Sequence, residues 1–220
     1  KILEKATVDG NKVSLDLNAR KEAHRPLGLF YFAPISDGAA TLLLTGENVA
    51  QKFTDMPVYV LGSSSATDYL TYPAREDMTH FLVTQQSMKK ALKMSEKNLE
   101  DIKVLEVYDQ STVMEMVSLE DLGFCRPGTA WKHVYENCKD YKGFYEIDGH
   151  RLTVNASGGL KADGNPLGAT GGAQIFEIVQ QIRGEAGSRQ IECDEELKCG
   201  CVLELEGFGT KGYTYILGRD

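Results

Sequence analysis

The richest chemical potential lies in Asn155-Ala156-Ser157-Gly158-Gly159-Leu160-Lys161-Ala162-Asp163-Gly164-Asn165-Pro166-Leu167-Gly168-Ala169-Thr170-Gly171, where two clusters of glycines precede a helix. Such a backbone can approach a ligand or another chain segment closely. Free amides at the start of the following helix can stabilise negative charge. Pure packing also uses glycine-rich loops, so the run by itself leaves both readings open. The thiols suggest less. Cys193, Cys199 and Cys201 lie close together, but no fourth zinc ligand stands at a usual spacing. Cys199 and Cys201 would share one face of a strand, so buried structural cysteines and no metal site are expected. An odd total of five cysteines fits reduced thiols in a cytoplasmic protein better than a disulfide framework. His24, His80, His133 and His150 show no metal-binding spacing and read as surface or structural residues.

The elements that must position these groups follow from apolar patterning. With 42% hydrophobic and 25% charged residues among 220, the chain can build a real core. A net charge of -8 argues against general nucleic-acid binding. An acidic ligand would need a local basic patch or helix N-termini. No apolar run approaches the roughly 20 residues of a membrane-spanning helix. Lys1-Ile2-Leu3-Glu4-Lys5 has no secretory character, and without an initiator Met the chain reads as a processed or incomplete piece.

Strands are expected at Val13–Leu17, in the continuous apolar run Ala39–Leu44, and at Val58–Gly62 with Ser63-Ser64-Ser65 as the turn after it. A long helix should follow Pro73 and run to about Lys97. Asp101–Tyr108 reads as a strand and Thr112–Leu122 as a helix stopped at Gly123. Residues 126–150 read as a loop or insertion, with Trp131, Tyr135, Tyr141, Phe144 and Tyr145 as an aromatic group. Gly171–Arg183 is strongly helical, residues 185–198 are a charged connection, and Cys201–Leu205 with Tyr213–Leu217 form a hairpin around Gly207 and Gly209. Strands alternating with helices give an α/β sheet.

The glycine-rich segment resembles the thiolase signature, in which a glycine pair is followed by Gly-His-Pro-Leu-Gly-Ala-Thr-Gly. Three more segments agree in order. Ser36-Asp37-Gly38-Ala39-Ala40 resembles the strand closing a thiolase's first half. Val107-Tyr108-Asp109-Gln110-Ser111, with Glu120-Asp121-Leu122-Gly123-Phe124, resembles the His-Asp-Cys-Phe loop and helix of sterol-carrier-protein-type and archaeal acetoacetyl-CoA thiolases. Arg183-Gly184-Glu185-Ala186-Gly187-Ser188-Arg189-Gln190 is similar to the segment after their next helix. The resemblance implies a thiolase-like layered α/β/α fold, with residues 1–56 as the end of the first half and 57–220 as the C-terminal domain.

The resemblance also implies acyl-CoA carbon–carbon bond chemistry of acyltransferase type, with the thioester as substrate and no further cofactor. Thiolases use a nucleophilic cysteine, a histidine and a second cysteine. The histidine position is Asn165, which can donate a hydrogen bond but cannot act as a base near neutral pH. Tyr108 replaces the first-loop histidine and Gln110 the acid/base cysteine of that subfamily; Glu204–Gly209 replaces the final glycine loop. No segment before residue 36 matches the one bearing the nucleophile. Tyr108 and Asn165 are therefore the candidate catalytic residues, and Asp109, Gln110, Asn155, Gly158, Gly159, Gly207 and Gly209 the candidate substrate-binding ones. The same tyrosine occurs in thiolase-like aldolases that shorten steroid side chains. A retro-aldolase thus stands beside a non-catalytic pseudo-thiolase that binds acyl-CoA or scaffolds an active partner. Implied partners are acyl-CoA, a homo- or hetero-oligomeric companion bearing the first half, and a small zinc-ribbon/β-barrel protein. Nucleic acid and membrane are not expected partners.

Overall fold

A computed structural model describes residues 6–9, 12–15, 27–140, 143–193 and 196–219. His24, Tyr141 and the end of the expected Val13–Leu17 strand lie outside the described residues. The backbone of β1 (Ala6–Asp9) pairs antiparallel with β2 (Lys12–Leu15). The main body follows in the order α1 (Glu47–Ala50), β3 (Tyr59–Thr67), α2 (Leu82–Ser95), β4 (Val104–Val107), α3 (Thr112–Asp121), α4 (Ala130–Asp140), β5 (Tyr145–Ile147), β6 (His150–Val154), α5 (Gly159–Ala162), α6 (Thr170–Arg183), β7 (Cys199–Glu206) and β8 (Lys211–Gly218).

Six strands form one sheet in the order β3-β8-β7-β4-β6-β5. Period-two alternation sorts its side chains between two cores. Cys199, Cys201, Leu203 and Leu205 of β7, with Leu105 and Val107 of β4, join Val83, Met88 and Ala91 of α2 and Leu119 of α3. On the other face Val104 and Val202 meet Ile178 and Ile182 of α6. The sheet is thus covered on both sides by helices, the arrangement a sheet with buried parallel strands requires. Glu106 and Glu204 follow Val104 and Val202 in that alternation, which puts both carboxylates on the α6 side.

Strand β4 is parallel to both β6 and β7. The C-terminal ends of all three strands therefore open on one edge of the sheet, where open α/β sheets place their ligands.

Four expectations change. Ala39–Leu44 forms no strand; Leu43 and Leu44 are 72% and 78% exposed, and the run has no ladder partner among the described residues. It lies instead along the glycine-rich loop, where Gly38 approaches Pro166 and Gly172 approaches Ala40. Ser63-Ser64-Ser65 continue β3 because each pairs with β8, opposite Tyr215, Thr214 and Tyr213. The long helix begins only at Leu82, since Tyr72–Ala74 is a separate 3-10 turn around Pro73. Residues 126–150 hold α4 and the β5 strand of a hairpin, with Ala130 and Tyr145 buried in the core, rather than a loop.

Candidate functional site

Three strand ends build the site. After β4, Tyr108 continues the ladder by donating its N–H to Leu203 O at 3.0 Å. Its ring is buried, with 8% exposure. After β6, Asn155 donates its N–H to Leu105 O at 2.8 Å, and its Oδ1 accepts the Val107 N–H at 2.8 Å. Its Nδ2 donates to Glu115, whose other oxygen accepts the Tyr145 hydroxyl. After β7, Gly207–Thr210 make the turn into β8. Arg75 pins this turn by donating to Phe208 O at 3.0 Å and to Thr210 Oγ1 at 3.2 Å.

The glycine-rich segment supplies the fourth wall. Gly159 has φ +65°, and a Cβ there would collide with the Asp109 carboxylate, so only glycine admits this approach. The Leu160 N–H donates to Asp109 Oδ1 at 2.8 Å. Asn165 is held by its backbone: its N–H donates to Ser36 Oγ at 2.9 Å, and its carbonyl accepts the Ser36 N–H at 3.1 Å. The Asn165 side chain is fully buried, and its Oδ1 accepts the Thr170 hydroxyl at 3.3 Å. That bond turns Nδ2 away from Thr170. Nδ2 completes no hydrogen bond of normal geometry, although the amide is close enough to the phenol of Tyr108 to oppose the rise in its pKa.

Desolvation pushes the Tyr108 pKa up; Asn165 opposes it, while Glu204 and Asp109 add to it. The phenol is therefore a neutral hydrogen-bond donor around neutral pH. Glu204 is raised to about 8 by desolvation alone, and its Oε2 is buried without a hydrogen-bond partner. A cleft of about 680 Å³ opens over these groups, lined by Leu42, Tyr108, Leu167, Gly171, Ile175, Glu204, Gly207, Tyr213 and Tyr215. A polar floor of Tyr108 and Glu204 under aliphatic and aromatic walls suits a ligand with one reactive polar centre and apolar remainder.

The sequence-derived candidates thus separate. Tyr108 and Gly207 line the cleft, while Asn165 is fully buried within reach of the Tyr108 phenol and is not part of the lining. Asn155 spends its amide on Val107 and Glu115. Asp109 and Gly159 pack on each other, Gly158 begins α5 with φ +94°, and Gly209 faces Phe81. Gln110 is half-buried, and its carbonyl accepts the Ala33 N–H at 2.9 Å. Sequence reasoning singles out neither Glu204 nor Arg75 as a site residue.

Residues 64–219 match the thiolase C-terminal domain-like family. The chain belongs to the thiolase family. Acetyl-CoA acetyltransferase of Methanothermobacter thermautotrophicus is 40% identical over 194 residues, covering 88% of this chain and 48% of that protein. The acetyl-CoA acetyltransferase of Methanocaldococcus jannaschii is 36% identical over 209 residues, 91% of this chain and 50% of that protein. Sterol carrier protein 2 of Homo sapiens is 33% identical over 187 residues, 82% and 33% of the two chains. The chain spans about half the length of the two acetyltransferases. A solved structure titled "Ltp2-ChsH2(DUF35) aldolase" superposes with TM-score 0.68 at 22% identity, covering 94% of this chain and 52% of that one, and shares the fold. Within this thiolase-family site, the cysteines of β7 are buried away from the cleft in the α2–α3 core. Among the described residues no cluster of His, Cys, Asp and Glu could hold a metal, and no helix is long and apolar enough to cross a membrane.

Helix α3 begins directly behind Tyr108, and its N-cap Ser111 accepts the Met114 N–H at 3.3 Å. Ser111→Ala is expected to lower stability by about 1 kcal/mol, measured by urea unfolding. The loss should appear in the midpoint with an unchanged slope.

Proposed function

We propose that this chain is the C-terminal half of an enzyme that makes or breaks a carbon–carbon bond beside a coenzyme A thioester, using Tyr108 and Asn165 to hold the thioester or enolate oxygen. The observation that carries this reading is the buried Asn165 amide, whose Nδ2 lacks a partner of normal geometry beside the Tyr108 phenol. An unsatisfied buried donor costs about 1–3 kcal/mol, and a ligand oxygen reaching past the Tyr108 phenol would satisfy it. Donors fixed in advance where negative charge develops are worth most in a desolvated site.

The groups of this chain favour an aldol-type reaction. Cys125, Cys199 and Cys201 are buried, and burial pushes the thiols of Cys125 and Cys199 up to about 12 and about 11. None of these three thiols is suited to act as a nucleophile at the cleft. Residues 1–56 would close the first half of the fold and 57–220 form its second, with a further segment or chain completing the first half. A two-protein assembly, like the one named for the aldolase neighbour, is the proposed working form in the cytoplasm. Its companion would be the small zinc-ribbon/β-barrel protein.

Thiolytic acyl transfer is the second reading, supported by the 40% identity to an acetyl-CoA acetyltransferase. The complete protein should be assayed with β-hydroxyacyl-CoA and, separately, with β-ketoacyl-CoA. Cleavage of the hydroxyacyl ester without added coenzyme A is the expected result. Strict dependence on free coenzyme A would favour thiolysis, and tight binding with no turnover of either ester would make the chain a scaffold.

A further inference from the structure

Glu204 has no role in the oxyanion-binding reading, yet its placement is unusual for a carboxylate. It lies on β7 on the face covered by α6, directly opposite Tyr213 of β8. The next carboxylate on that face, Glu206, is exposed and pairs with Lys211 at 3.2 Å. Among the described residues Glu204 has no such cation. Its Oε2 is buried and lacks a hydrogen-bond partner, while the side chain remains partly open to the cleft that Tyr108 lines. The first turn of α6 comes against it at Gly171, where a Cβ would stand 3.4 Å from Glu204 Cγ. A carboxylate desolvated without compensation is costly in a purely structural position.

We propose that Glu204 is the proton-transferring catalytic residue of this cleft, taking the hydroxyl proton of a β-hydroxyacyl thioester and returning it to the α-carbon. This assignment rests on the carbon–carbon bond reading above. In the cleavage direction the Glu204 carboxylate accepts the proton of the β-hydroxyl. The O–H electron pair becomes the second bond of the new carbonyl, the Cα–Cβ bond breaks, and its electron pair passes into the thioester enolate. Tyr108 and Asn165 hold the enolate oxygen. The proton now on Glu204 passes to Cα, which leaves an aldehyde or ketone, a shortened acyl thioester and the carboxylate regenerated. The step is neutral in electrons and consumes no co-reactant.

Desolvation holds the Glu204 carboxyl up at about 8, which matches a group that must both take and return a proton near neutral pH. The other titratable groups of the cleft are Tyr108 just after β4, Tyr213 and Tyr215 from β8, and Glu206 on the same strand; α6 presents Gly171 and Gly172. None is a cation that would draw the carboxyl back down.

The test is the pH–rate profile of the complete protein and of its Glu204→Gln and Tyr108→Phe variants on one β-hydroxyacyl-CoA. Glu204→Gln keeps shape and removes the base. It should lower turnover about 10²–10⁴-fold and abolish the rise in rate with pH centred near 8. Tyr108→Phe should lower the rate while keeping that rise, and Glu204→Asp should restore part of the pH dependence. A Glu204→Gln protein with wild-type melting, undiminished turnover and an intact pH limb would overturn the assignment. If Tyr108→Phe were impaired in that same experiment, the oxyanion reading would survive it. Full turnover in both variants would overturn the two together.

Discussion

Tyr108→Phe should lower turnover of the acyl thioester by about 10²–10³, the usual consequence of removing a single oxyanion donor. The substitution deletes one oxygen and leaves the ring in place. That ring is 8% exposed and packs in the core between the sheet and the α2–α3 layer, and its backbone is tied to Leu203 O whatever the side chain. Melting should therefore be almost unchanged, and the loss should fall on kcat rather than KM, because the bond strengthens as charge develops on oxygen. Asn165→His is expected to give no thiolytic activity. It adds a base, but Gln110 and Glu204 remain where a thiol would be needed. Measured with the complete protein, unchanged turnover in Tyr108→Phe would leave this chain a structural part of its assembly.

Glu106→Gln should stabilise the protein increasingly as pH rises from about 5 to 8. Glu106 is 1% exposed in β4, and its oxygens accept the N–H and hydroxyl of Ser157 at 3.1 and 2.6 Å. Burial raises its carboxyl to about 8, opposed by the Ser157 bonds, with Glu177 and Asp109 adding to the rise. The folded state therefore holds a proton that the unfolded chain, near the ordinary 4.5, gives up. Stability from this group is full below about 4.5 and is lost as pH climbs through 8, at up to about 1.4 kcal/mol per pH unit. Glutamine offers Ser157 an acceptor and a donor without titrating. The variant's advantage should be near zero at pH 5 and reach a few kcal/mol at pH 8. Glu204 titrates over the same range in both proteins and cancels from the difference. Urea unfolding at the two pH values measures it, and a pH-independent difference would remove Glu106 as the cause.

Much of the fold was legible because its patterns were local. The stripe of Ile175, Ile178, Val179 and Ile182 announces α6, and the β7–β8 hairpin reads from spacing alone. Ala39–Leu44 misled because an apolar run signals burial without saying against what. Strand β6 was missed because His150-Arg151-Leu152-Thr153-Val154 lacks alternation; a strand between two neighbours in a mixed sheet need not show any. In α4, Trp131 and Tyr135 stay exposed while Ala130 is buried, so the aromatics that suggested an insertion point away from the core that holds the helix. The meeting of Tyr108 with Asn165 could be anticipated from resemblance to loops that converge. Glu204 could not, since Leu203-Glu204-Leu205-Glu206 reads as a half-solvated strand, and only α6 and Tyr213 close over its first carboxylate.

The backbone bonds at the ends of the three parallel strands have a consequence for descent. Tyr108 is positioned by Leu203 O, Asn165 by Ser36, and Glu204 by the β7–β8 ladder. None of these anchors uses the side chain of the residue it holds. The side chains at 108, 165 and 204 can therefore be exchanged while their α-carbons stay put. A lineage built on this sheet can move from one reaction to another by point substitution, and the scaffold registers little of the change.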